Sequence, residues 1–478
     1  MNTLRDTVVG VVGAGTMGTG IAQVAAAAGH PVLLYDAVPG AAERAVSLVD
    51  SRVPDPLRLT ATGSLADLAP ARIVVEAVVE DLAVKRRLFA DLEQVLAADC
   101  VLATNTSSLS PAVLAAGMAY PERIVGLHFF NPVPLMRLVE IVAGPATSAA
   151  VVDVVADLAA AWGKTAVRST PTPGFIVNRV ARPFYAEAWR LYEERTADPA
   201  TIDRVLTGAG GFRMGPFALM DLIGHDVNEA VTRSVWTAFG HDSRFAPSLA
   251  QRQLVEAGWL GRKTGRGVYE HPGNHAPVAA DARKAQLEVV AHGTGELRSL
   301  LDRSGVAVLD GDGDGGNVEL PSGALLVRCS GTTATALSAR HGTPVIVADR
   351  TLDDATATAI AVALSDGCPQ GSRDEAVGLL QSADLEVHVV DDAPGLVVTR
   401  TVAMLVNLAV DALQQGVASR ADIDTALRLG TNYPLGPLEW GERWGFGTVH
   451  RILTAMQAAY GDPRYRPSQL LQRMAMAS

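Results

Sequence analysis

The first third of the chain alternates short apolar runs, rich in β-branched residues, with longer stretches of helical periodicity. The run TVVGVV at 7–12 is followed by a glycine turn, a helical stretch of small residues, and a second run, PVLLYD, at 31–36. Further apolar runs alternate with helical patterns, at 72–79, 100–107, 123–130 and 137–142. Alternation of strands and helices is typical of a mostly parallel sheet covered by helices. The pattern therefore predicts an α/β domain at residues 1–168.

The pattern then becomes helical, and it occurs twice. Residues 172–272 hold long helical stretches with almost no predicted strand, as in VNRVARPFYAEAWRLYEER. The segment PGFIVNR returns later as PGLVVTR, and a constant offset of 221 aligns Arg179 with Arg400 without a gap. Such self-similarity indicates a duplicated structural unit. We predict an all-α domain at 172–272 and its second copy at 391–478.

Two different regions separate the helical copies. Residues 273–323 are rich in Gly and Asp and are predicted to be a loop or linker. Residues 324–390 have the pattern strand, helix, strand without a glycine motif, and are predicted to be a degenerate α/β domain. An EF-hand-like opening at Asp310 has Pro321 at its twelfth position, where a calcium loop needs a bidentate Glu. No metal site is therefore expected.

Composition narrows the partners and the compartment. The 478 residues carry a formal net charge of -11 and have a pI near 5.4, which argues against a nucleic-acid surface or an anionic membrane as partner. No signal-peptide pattern opens the chain, and no stretch of about 18 uncharged apolar residues occurs. Three widely spaced cysteines show no metal-ligand spacing and are expected to be reduced, namely Cys100, Cys329 and Cys368. We expect a soluble, cytoplasmic protein.

The glycine turn after the first strand carries the motif GAGTMG at 13–18. The first glycine permits a tight turn, the second lets backbone N–H groups approach a pyrophosphate, and the third permits close helix packing. Asp36 ends the second strand, 21 residues past Gly15, where a carboxylate binds a ribose 2′-OH and repels a 2′-phosphate. The motif predicts a Rossmann-like domain that binds NAD rather than NADP. Its predicted cofactor-binding turn comprises Gly13, Gly15, Thr16, Met17 and Gly18.

The segment GLHFFNPVPLMRLVEIV at 126–142 places one histidine and one glutamate among apolar residues. A lone histidine in such a setting is more often a core residue than a catalyst. Glu140 would be costly to bury unpaired, however, and His128 is a suitable partner for it. Beside a nicotinamide, such a pair suits the oxidation of an alcohol, because the imidazole accepts the hydroxyl proton while hydride leaves. We predict that His128 and Glu140 form the reactive pair.

Three polar residues are expected to line the same site. Asn105 and Ser107 follow VLAT at the carboxyl end of a predicted strand, where open α/β sheets bind ligands. Asn178 begins the helix after the TPGF segment, and we expect it to lean over the cleft between the domains.

Six segments together resemble the 3-hydroxyacyl-CoA dehydrogenase family: GAGTMGTGIA, NTSSLS, GLHFFNPVPLMRLVEIV, TPGFIVNR, MGPFALMDLIG and GRKTGRGVYE. The resemblance covers about residues 5–272 and, through the repeat, about 391–478, and it is far more specific than the glycine motif alone. It implies NAD-dependent oxidation of a 3-hydroxyacyl-CoA to a 3-oxoacyl-CoA. The implied acyl chain is 3-hydroxybutyryl or 3-hydroxyadipyl, in fatty-acid β-oxidation or phenylacetate-type aromatic catabolism.

The resemblance also implies a role for each matching residue. His128 would be the catalytic base and Glu140 its orienting partner. The oxygens of the acyl-CoA substrate would be held by Ser107 and Asn178. Besides the glycine turn, the cofactor would be contacted by Asp36, Glu80, Lys85 and Asn105. Without the resemblance, Lys85 would be interpreted as an exposed helix lysine.

Arg182 follows Asn178 by four residues and so lies on the same face of the predicted helix. We hypothesise that it binds the distal carboxylate of an adipyl chain, because a guanidinium forks onto carboxylates. A helix-surface arginine, or one that binds a CoA phosphate, is the plainer alternative.

The second helical copy departs from the family pattern. It has Thr399 at the position of Asn178, and it has no equivalent of the His–Glu pair before it, so we expect it to be structural. In family members with one helical domain, that domain pairs two subunits. The resemblance therefore implies either a homodimer or an intrachain pseudo-dimer.

Two other functions are kept as alternatives. One is a dehydrogenase of a free β-hydroxy acid with the same domain plan, but such enzymes typically rely on a lysine base. The other is a non-catalytic, crystallin-like family member. The four intact residues of the expected catalytic set favour an enzyme, namely Ser107, His128, Glu140 and Asn178.

Overall fold

The computed structural model describes residues 7–52, 58–273, 275–281, 287–293, 295–312 and 316–477. The chain divides into two compact units, of which the first is Met1–Arg179 with Ala412–Thr431 and the second is Val180–Asp411 with Asn432–Ser478. A segment of the second helical copy therefore belongs to the first unit.

An eight-stranded sheet forms the centre of the first unit. Its strands are β1 Val9–Val12, β2 Val32–Tyr35, β3 Leu59–Thr62, β4 Ile73–Glu76, β5 Val101–Thr104, β6 Ile124–Phe129, β7 Leu138–Ala143 and β8 Thr165–Ser169. The strand order is β3-β2-β1-β4-β5-β6-β7-β8. Strands β1 to β6 are parallel, whereas β7 is antiparallel to β6 and parallel to β8. The predicted Rossmann-like sheet is confirmed, and β3 and β8 extend it at its two edges.

Helices cover both faces of this sheet. They are α1 Thr16–Ala27, α2 Ala41–Asp50, α3 Leu82–Val95, α4 Pro111–Ala115 and α5 Ala149–Ala161, and the short helix α6 Val177–Val180 follows β8 along the chain. Alternate strand residues point to opposite faces. Val11 packs in one core with Ile21 of α1, while Val12 packs in the other core with Phe89 of α3. Burial on both faces explains why the strands appear in the sequence as continuous apolar runs.

The first helical copy is confirmed as almost entirely α-helical. Its helices after α6 are α7 Arg182–Glu193, α8 Pro199–Gly208, α9 Pro216–Ile223, α10 His225–Ala238 and α11 Leu249–Glu256. Pro183, Pro199 and Pro216 each lie in a first helical turn, where the missing N–H costs nothing because that group has no partner within the helix.

A second sheet of seven strands follows, with α-helices between the strands. The strands are β9 Glu288–His292, β10 Ala307–Gly311, β11 Asn317–Glu319, β12 Leu325–Arg328, β13 Val345–Ala348, β14 Ala359–Leu364 and β15 Glu386–Val390. The helices are α12 Arg298–Ser304, α13 Ala334–His341 and α14 Gln370–Ser382. The strand order is β10-β9-β11-β12-β13-β14-β15, with β11 and β14 antiparallel to their earlier neighbours.

The prediction of a loop or linker at 273–323 is wrong for much of its length, because β9, α12, β10 and β11 lie there. These elements are short, and β10 is a largely exposed edge strand. The glycines and aspartates of strand ends and turns therefore dominate the composition of this region. Within the EF-hand-like segment, residues 313–315 lie outside the described residues, while Asp310 belongs to β10.

The second helical copy repeats the first. Its helices are α15 Val398–Gln414, α16 Arg420–Gly430, α17 Pro437–Trp444, α18 Phe446–Tyr460 and α19 Gln469–Ala477. Helices α8 and α9 begin at residues 199 and 216, and α16 and α17 begin 221 positions later, at 420 and 437. The predicted duplication is thereby confirmed. Helix α16 packs in the first unit against β7 and β8, where a Cβ on Gly430 would lie 2.7 Å from Leu138 Cδ2. Across the described residues, no helix is long and apolar enough to cross a membrane.

Candidate active site

The glycine turn lies between β1 and α1. Gly13 has a φ of +104°, and a Cβ on Gly18 would lie 1.8 Å from the Gly13 carbonyl oxygen, so neither position tolerates a side chain. Gly15 is the N-cap of α1, where no side chain caps the helix, and a Cβ there would meet nothing within 4 Å. Thr16 is exposed and Met17 is half-buried. Open N–H groups at a helix N-terminus attract phosphate, so the turn fits the pyrophosphate of a dinucleotide.

Asp36 follows β2 and connects to the glycine turn directly. Its Oδ2 accepts a hydrogen bond of 2.6 Å from the Ala14 N–H, and its Oδ1 accepts one of 2.8 Å from the Val38 N–H. The two bonds fix the carboxylate beside the start of α1. Each oxygen has a second lone pair for a ribose hydroxyl.

His128 and Glu140 are paired, and the sheet topology is the reason. They lie opposite each other in the antiparallel register of β6 and β7. His128 Nδ1 is 2.7 Å from Glu140 Oε2, and both side chains are buried. The other carboxylate oxygen, Oε1, accepts hydrogen bonds from the N–H groups of Ile176 at 3.0 Å and Val177 at 2.9 Å. The predicted pair is therefore present, and Glu140 also caps the start of α6.

The second imidazole nitrogen of His128 points to the end of β5. Its Nε2 is 3.2 Å from Ser107 Oγ. Asn105 Oδ1 accepts a hydrogen bond of 2.8 Å from the Phe129 N–H, which joins the ends of β5 and β6. The rings of Phe130 and Phe175 lie 4.6 and 5.6 Å from the imidazole centroid. The two phenylalanines shield the imidazole, while Nε2 faces a hydroxyl.

Lys85 is not an exposed helix lysine, because only 1% of it is accessible. Its Nζ lies 2.6 Å from Glu76 Oε1 and 3.2 Å from Glu80 Oε2. Glu76, fully buried at the end of β4, also accepts hydrogen bonds from the Val78 N–H and the Thr104 hydroxyl. The Lys85 ammonium thus forms ion pairs with two carboxylates, those of Glu76 and Glu80.

Glu80 holds the loop that carries Ser107. Its Oε1 accepts hydrogen bonds from the N–H groups of Ser107 at 3.0 Å and Ser108 at 3.1 Å, and from the hydroxyl groups of Thr106 and Ser108. Burial alone would raise the pKa of Glu80. The hydrogen bonds from Thr106 and Ser108 and the charge of Lys85 outweigh burial, and the pKa lies below its usual value. Glu80 is therefore an anion that orders this loop.

Asn178 and Arg182 have different surroundings. Asn178 is half-buried in α6, next to Val177, whose N–H is bound by Glu140. Helix α6 ends at Val180 and α7 begins at Arg182, so the single helix expected across these residues is interrupted. Arg182 belongs to the second unit and is buried, which rules out the interpretation as a helix-surface arginine.

Sequence reasoning missed several members of this site, namely Glu76, Thr104, Thr106 and Ser108. Glu76 had a usable signal, since a glutamate inside the apolar run RIVVEAVV is the same pattern that indicated Glu140. Thr104, Thr106 and Ser108 gave no such signal, because serines and threonines are common in loops. Within the part of the chain that the structure describes, no cluster of three or more His, Cys, Asp or Glu side chains could hold a metal ion.

Three family models match most of the chain. A model described as 3-hydroxyacyl-CoA dehydrogenase, NAD binding domain, matches residues 8–171. The C-terminal domain model of the same family matches 174–271 and again 395–478. A third model, described as the 3-hydroxybutyryl-CoA dehydrogenase reduced Rossmann-fold domain, matches 326–394. The double match agrees with the duplicated helices.

Individual relatives agree with the family models. The chain is 44% identical to the 3-hydroxyadipyl-CoA dehydrogenase of Escherichia coli strain K12, with 98% of this chain and 97% of that protein covered. It is 36% identical to the 3-hydroxybutyryl-CoA dehydrogenase of Clostridioides difficile, over 55% of this chain and 98% of that protein. The crystal structure of 3-hydroxybutyryl-CoA dehydrogenase from Escherichia coli K12 matches with a TM-score of 0.90 and 42% identity over 99% of both chains. The chain therefore belongs to the 3-hydroxyacyl-CoA dehydrogenase family of NAD-dependent oxidoreductases.

Proposed function

We propose that this chain oxidises the hydroxyl group of a 3-hydroxyacyl-CoA to the 3-oxoacyl-CoA, with NAD+ as hydride acceptor, and catalyses the reverse reduction with NADH. The observation that carries the proposal is the arrangement around His128. Glu140 Oε2 lies 2.7 Å from one ring nitrogen, and Ser107 Oγ lies 3.2 Å from the other. Such a base, oriented by a buried carboxylate, suits proton removal from an alcohol.

The first unit fits a dinucleotide at the glycine turn. The N-terminus of α1 has no side-chain cap, and Gly15 leaves open space where a side chain would stand. Asp36, fixed by the Ala14 N–H, favours a ribose hydroxyl and disfavours a 2′-phosphate, which supports NAD over NADP. When bound, NAD+ supplies the hydride acceptor. Asn105, Glu80 and Lys85 complete the proposed cofactor site, with Lys85 acting through the two carboxylates that it neutralises.

The proton path follows from the two nitrogens of His128. Glu140 accepts a hydrogen bond from Nδ1–H, which leaves the Nε2 lone pair free to accept the proton of the substrate hydroxyl. The imidazolium that forms is stabilised by the same carboxylate. Ser107 Oγ and the Asn178 amide are proposed to hold the substrate oxygens, while the rings of Phe130 and Phe175 limit the access of water to His128.

The names of the relatives support two acyl chains. One relative is called a 3-hydroxyadipyl-CoA dehydrogenase and matches over nearly the full length, whereas the single-copy relative acts on 3-hydroxybutyryl-CoA by its name. We propose a short-chain or a 3-hydroxyadipyl-CoA substrate, in fatty-acid β-oxidation or in phenylacetate-type aromatic catabolism. We also propose that the protein acts in the cytoplasm, which its free cysteines support.

We further propose that the two helical copies form an intrachain pseudo-dimer. Arg400 Nη1 lies 3.1 Å from Glu194 Oε2, and Arg179 Nη2 donates a hydrogen bond of 2.8 Å to Gln415 Oε1. The offset of 221 relates Arg179 to Arg400 and Glu194 to Gln415, so each copy makes the same contact to the other. Reciprocal contacts of this kind are the mark of a two-fold interface. Sedimentation tests the proposal: an obligate dimer dissociated by changes in copy one alone would contradict it.

The experiment for the catalytic proposal measures kcat/KM for the NADH-dependent reduction of acetoacetyl-CoA and 3-oxoadipyl-CoA. The wild type should reduce at least one of them, and His128→Gln should lower turnover by about 100-fold or more. His30→Gln is a matched control, because His30 is also a buried histidine of the first unit, but it contacts the Thr7 carbonyl oxygen and the Trp162 ring, and it is not paired with a carboxylate among the described residues. It should retain wild-type turnover. A wild type inactive on both substrates, or a His128→Gln variant near full rate, would contradict the proposal.

A further inference from the structure

Glu76 is a fully buried carboxylate on the strand that lies between the glycine turn and the loop of Ser107. It ends β4, and its neighbours in register are Val12, which ends β1, and Thr104, which ends β5. The glycine turn follows β1, and the loop of Ser107 follows β5. The backbone carbonyl oxygen of Glu76 accepts a hydrogen bond of 2.8 Å from the Asn105 N–H. Glu76 therefore lies between two parts of the candidate site, within the first unit.

Three donors bind the side chain of Glu76. Its Oε1 accepts hydrogen bonds from the Val78 N–H at 2.7 Å and from Lys85 Nζ at 2.6 Å. Its Oε2 accepts a hydrogen bond of 2.8 Å from the Thr104 hydroxyl. Satisfied hydrogen-bond networks in a protein interior are rigid. The carboxylate is therefore held in one position.

The hydrogen bond from Val78 supports the glycine turn. It fixes the backbone of residues 77–78, and the Ala77 carbonyl oxygen lies 2.6 Å from the place where a Cβ on Gly13 would stand. The Ala77 N–H also donates a hydrogen bond of 2.8 Å to the Val12 carbonyl oxygen. A movement of residues 77–78 would therefore displace the turn to which we assign the pyrophosphate.

The contact with Lys85 leads to the other part of the site. The Lys85 ammonium also lies 3.2 Å from Glu80 Oε2, and the other oxygen of Glu80 accepts a hydrogen bond of 3.0 Å from the Ser107 N–H. Ser107 Oγ in turn lies 3.2 Å from His128 Nε2. One ammonium is thus shared by two carboxylates. If Glu76 lost its charge, Glu80 would be the remaining carboxylate in contact with the ammonium.

We propose that Glu76 is a positioning residue of the dehydrogenase: through Lys85 and Glu80 it holds Ser107 at a fixed distance from the glycine turn. This inference rests on the proposed function, in which Ser107 holds a substrate oxygen and the glycine turn holds NAD. Hydride transfer needs reacting atoms about 3–3.5 Å apart, and a displacement of about 1 Å can cost about 100-fold in rate. Glu76 has no accessible surface, so it acts on the reaction through the residues that it holds.

The test is Glu76→Gln, which keeps the shape of the side chain and an acceptor for the Val78 N–H but removes the charge next to Lys85. We expect kcat for the NADH-dependent reduction of the preferred acyl-CoA, acetoacetyl-CoA or 3-oxoadipyl-CoA, to fall by about 100-fold. The KM for the acyl-CoA should stay within about threefold, because a positioning residue acts on the transition state and not on ground-state binding. Fluorescence titration should still find one NADH site per chain.

Glu93→Gln is the matched control. Glu93 lies near the end of α3, accepts a hydrogen bond of 3.0 Å from the Ala119 N–H and lies 3.6 Å from Arg123 Nη2. It is therefore also a largely buried carboxylate that holds a backbone N–H and a cation, but these contacts do not lead to the glycine turn or to Ser107. Both variants should lower the melting temperature, whereas the kcat of Glu93→Gln should stay within about threefold of the wild type.

A second variant keeps the test decisive if Glu76→Gln does not fold. Glu76→Gln combined with Lys85→Met removes both ions of the buried pair, which a protein tolerates better than the loss of one partner. We expect the double variant to fold and to lose kcat by about the same factor as Glu76→Gln, about 100-fold, because the two residues act along one path.

Four results would overturn the inference while the function stands: a Glu76→Gln variant with kcat within threefold of the wild type, a loss of kcat matched by a loss of NADH sites, a higher KM with unchanged kcat, and a double variant at the wild-type rate. A double variant much slower than Glu76→Gln would mean that Lys85 acts independently, and would overturn it too. A wild type that reduces neither acyl-CoA would contradict the proposed function, and the inference with it.

Discussion

Each helical copy begins at a buried carboxylate from the sheet before it, and the two carboxylates differ in what else they bind. Glu140 of β7 accepts hydrogen bonds from the N–H groups of Ile176 and Val177. Asp349, just after β13, accepts them from Val397 and Val398, which are the same two positions shifted by 221. The carboxylate cap is therefore part of the duplicated architecture, and it serves structure in both copies.

The second oxygen of each carboxylate makes the difference. In Glu140 it lies 2.7 Å from His128 Nδ1. In Asp349 it accepts hydrogen bonds from the Thr399 hydroxyl at 2.6 Å and from the Arg350 N–H at 2.8 Å. Glu140, in the middle of β7, contacts both the start of α6 and the imidazole of His128 on the neighbouring strand β6. One oxygen of Glu140 is thus left for an imidazole, which supports the proposed catalytic role of the pair, whereas that oxygen of Asp349 is bound by a hydroxyl and a backbone N–H.

The two sheets also differ in what binds the first N–H groups of a helix that follows a strand. The helices compared are α1, which follows β1, and α13, which follows β12. The N-cap of helix α1 is Gly15, and no side chain caps this helix. The N-cap of helix α13 is Thr333, and the N–H groups of Ala334 and Thr335 donate hydrogen bonds to the carboxylate of Asp392. An internal carboxylate thus lies where a phosphate binds at a helix N-terminus. The first N–H groups of α13 are therefore bound by a side chain of the same sheet region, whereas α1 has no side-chain cap.

The largest expected effect tests whether Glu140 is more than a cap. Glu140→Gln keeps an oxygen for Ile176 and Val177 but presents an amide N–H to His128, which favours the tautomer with a protonated Nε2. We expect kcat to fall by about 1,000-fold or more, because the base is lost. Steady-state reduction of the acyl-CoA substrate measures it. A variant with more than a tenth of the wild-type kcat would make Glu140 a cap like Asp349.

The second prediction concerns the reciprocal contacts between the copies. Arg400 is fully buried, lies 3.1 Å from Glu194, and also binds the Pro394 carbonyl oxygen and the Tyr460 hydroxyl. Arg400→Met should lower the free energy of unfolding by about 3 kcal/mol, because it leaves a carboxylate without its cation. Arg400→Lys, which keeps the charge but not the planar guanidinium, should cost less than Arg400→Met. Equal losses for the two variants in urea denaturation would mean that the charge of Arg400 does not stabilise this contact.

The third prediction tests Asp349 as a purely structural carboxylate. Asp349→Asn replaces one acceptor oxygen by an amide that faces N–H groups and a hydroxyl, so we expect a loss of about 2 kcal/mol in the free energy of unfolding. The kcat of the variant should stay within about threefold of the wild type, because Asp349 belongs to the second unit and is not paired with a histidine. A kcat loss comparable with that of Glu140→Gln would break the comparison.

Much of the first unit could be predicted from the sequence because its signals are local. The glycine turn, Asp36 and the apolar runs could each be recognised from residues within a single strand or turn. Glu140 could be predicted because a charge inside an apolar strand needs a partner, and His128 was the available one. Asp349 carries no such signal: it follows VIVA at a strand end, where an aspartate is ordinary. Its role depends on Val397 and Val398, almost fifty residues later.

The other features that could not be predicted from the sequence also depend on contacts between residues far apart in the chain. The strands β9 to β11 are short and separated by glycines and aspartates, so only pairing within the second sheet defines them. The spacing of Arg182 was visible in the sequence, whereas its surroundings depend on Thr232 in α10 and on Tyr433 between α16 and α17. The inward direction of Lys85 likewise depends on Glu76 in a different element.

The smallest expected effect extends the comparison to Glu80, a carboxylate that also binds two backbone N–H groups but is partly exposed. Its pKa in the folded protein is lowered, so its contribution to stability is present above the ordinary glutamate pKa of about 4.3 and is lost as the pH falls through the lowered value. Glu80→Gln should therefore cost about 1 kcal/mol at pH 7, a figure reduced by solvent screening, and progressively less toward pH 3. Urea denaturation at several pH values measures the difference. A cost that stays constant down to pH 3 would mean that the charge of Glu80 does not hold the Ser107 loop, and that among these three carboxylates only the buried ones act as anchors.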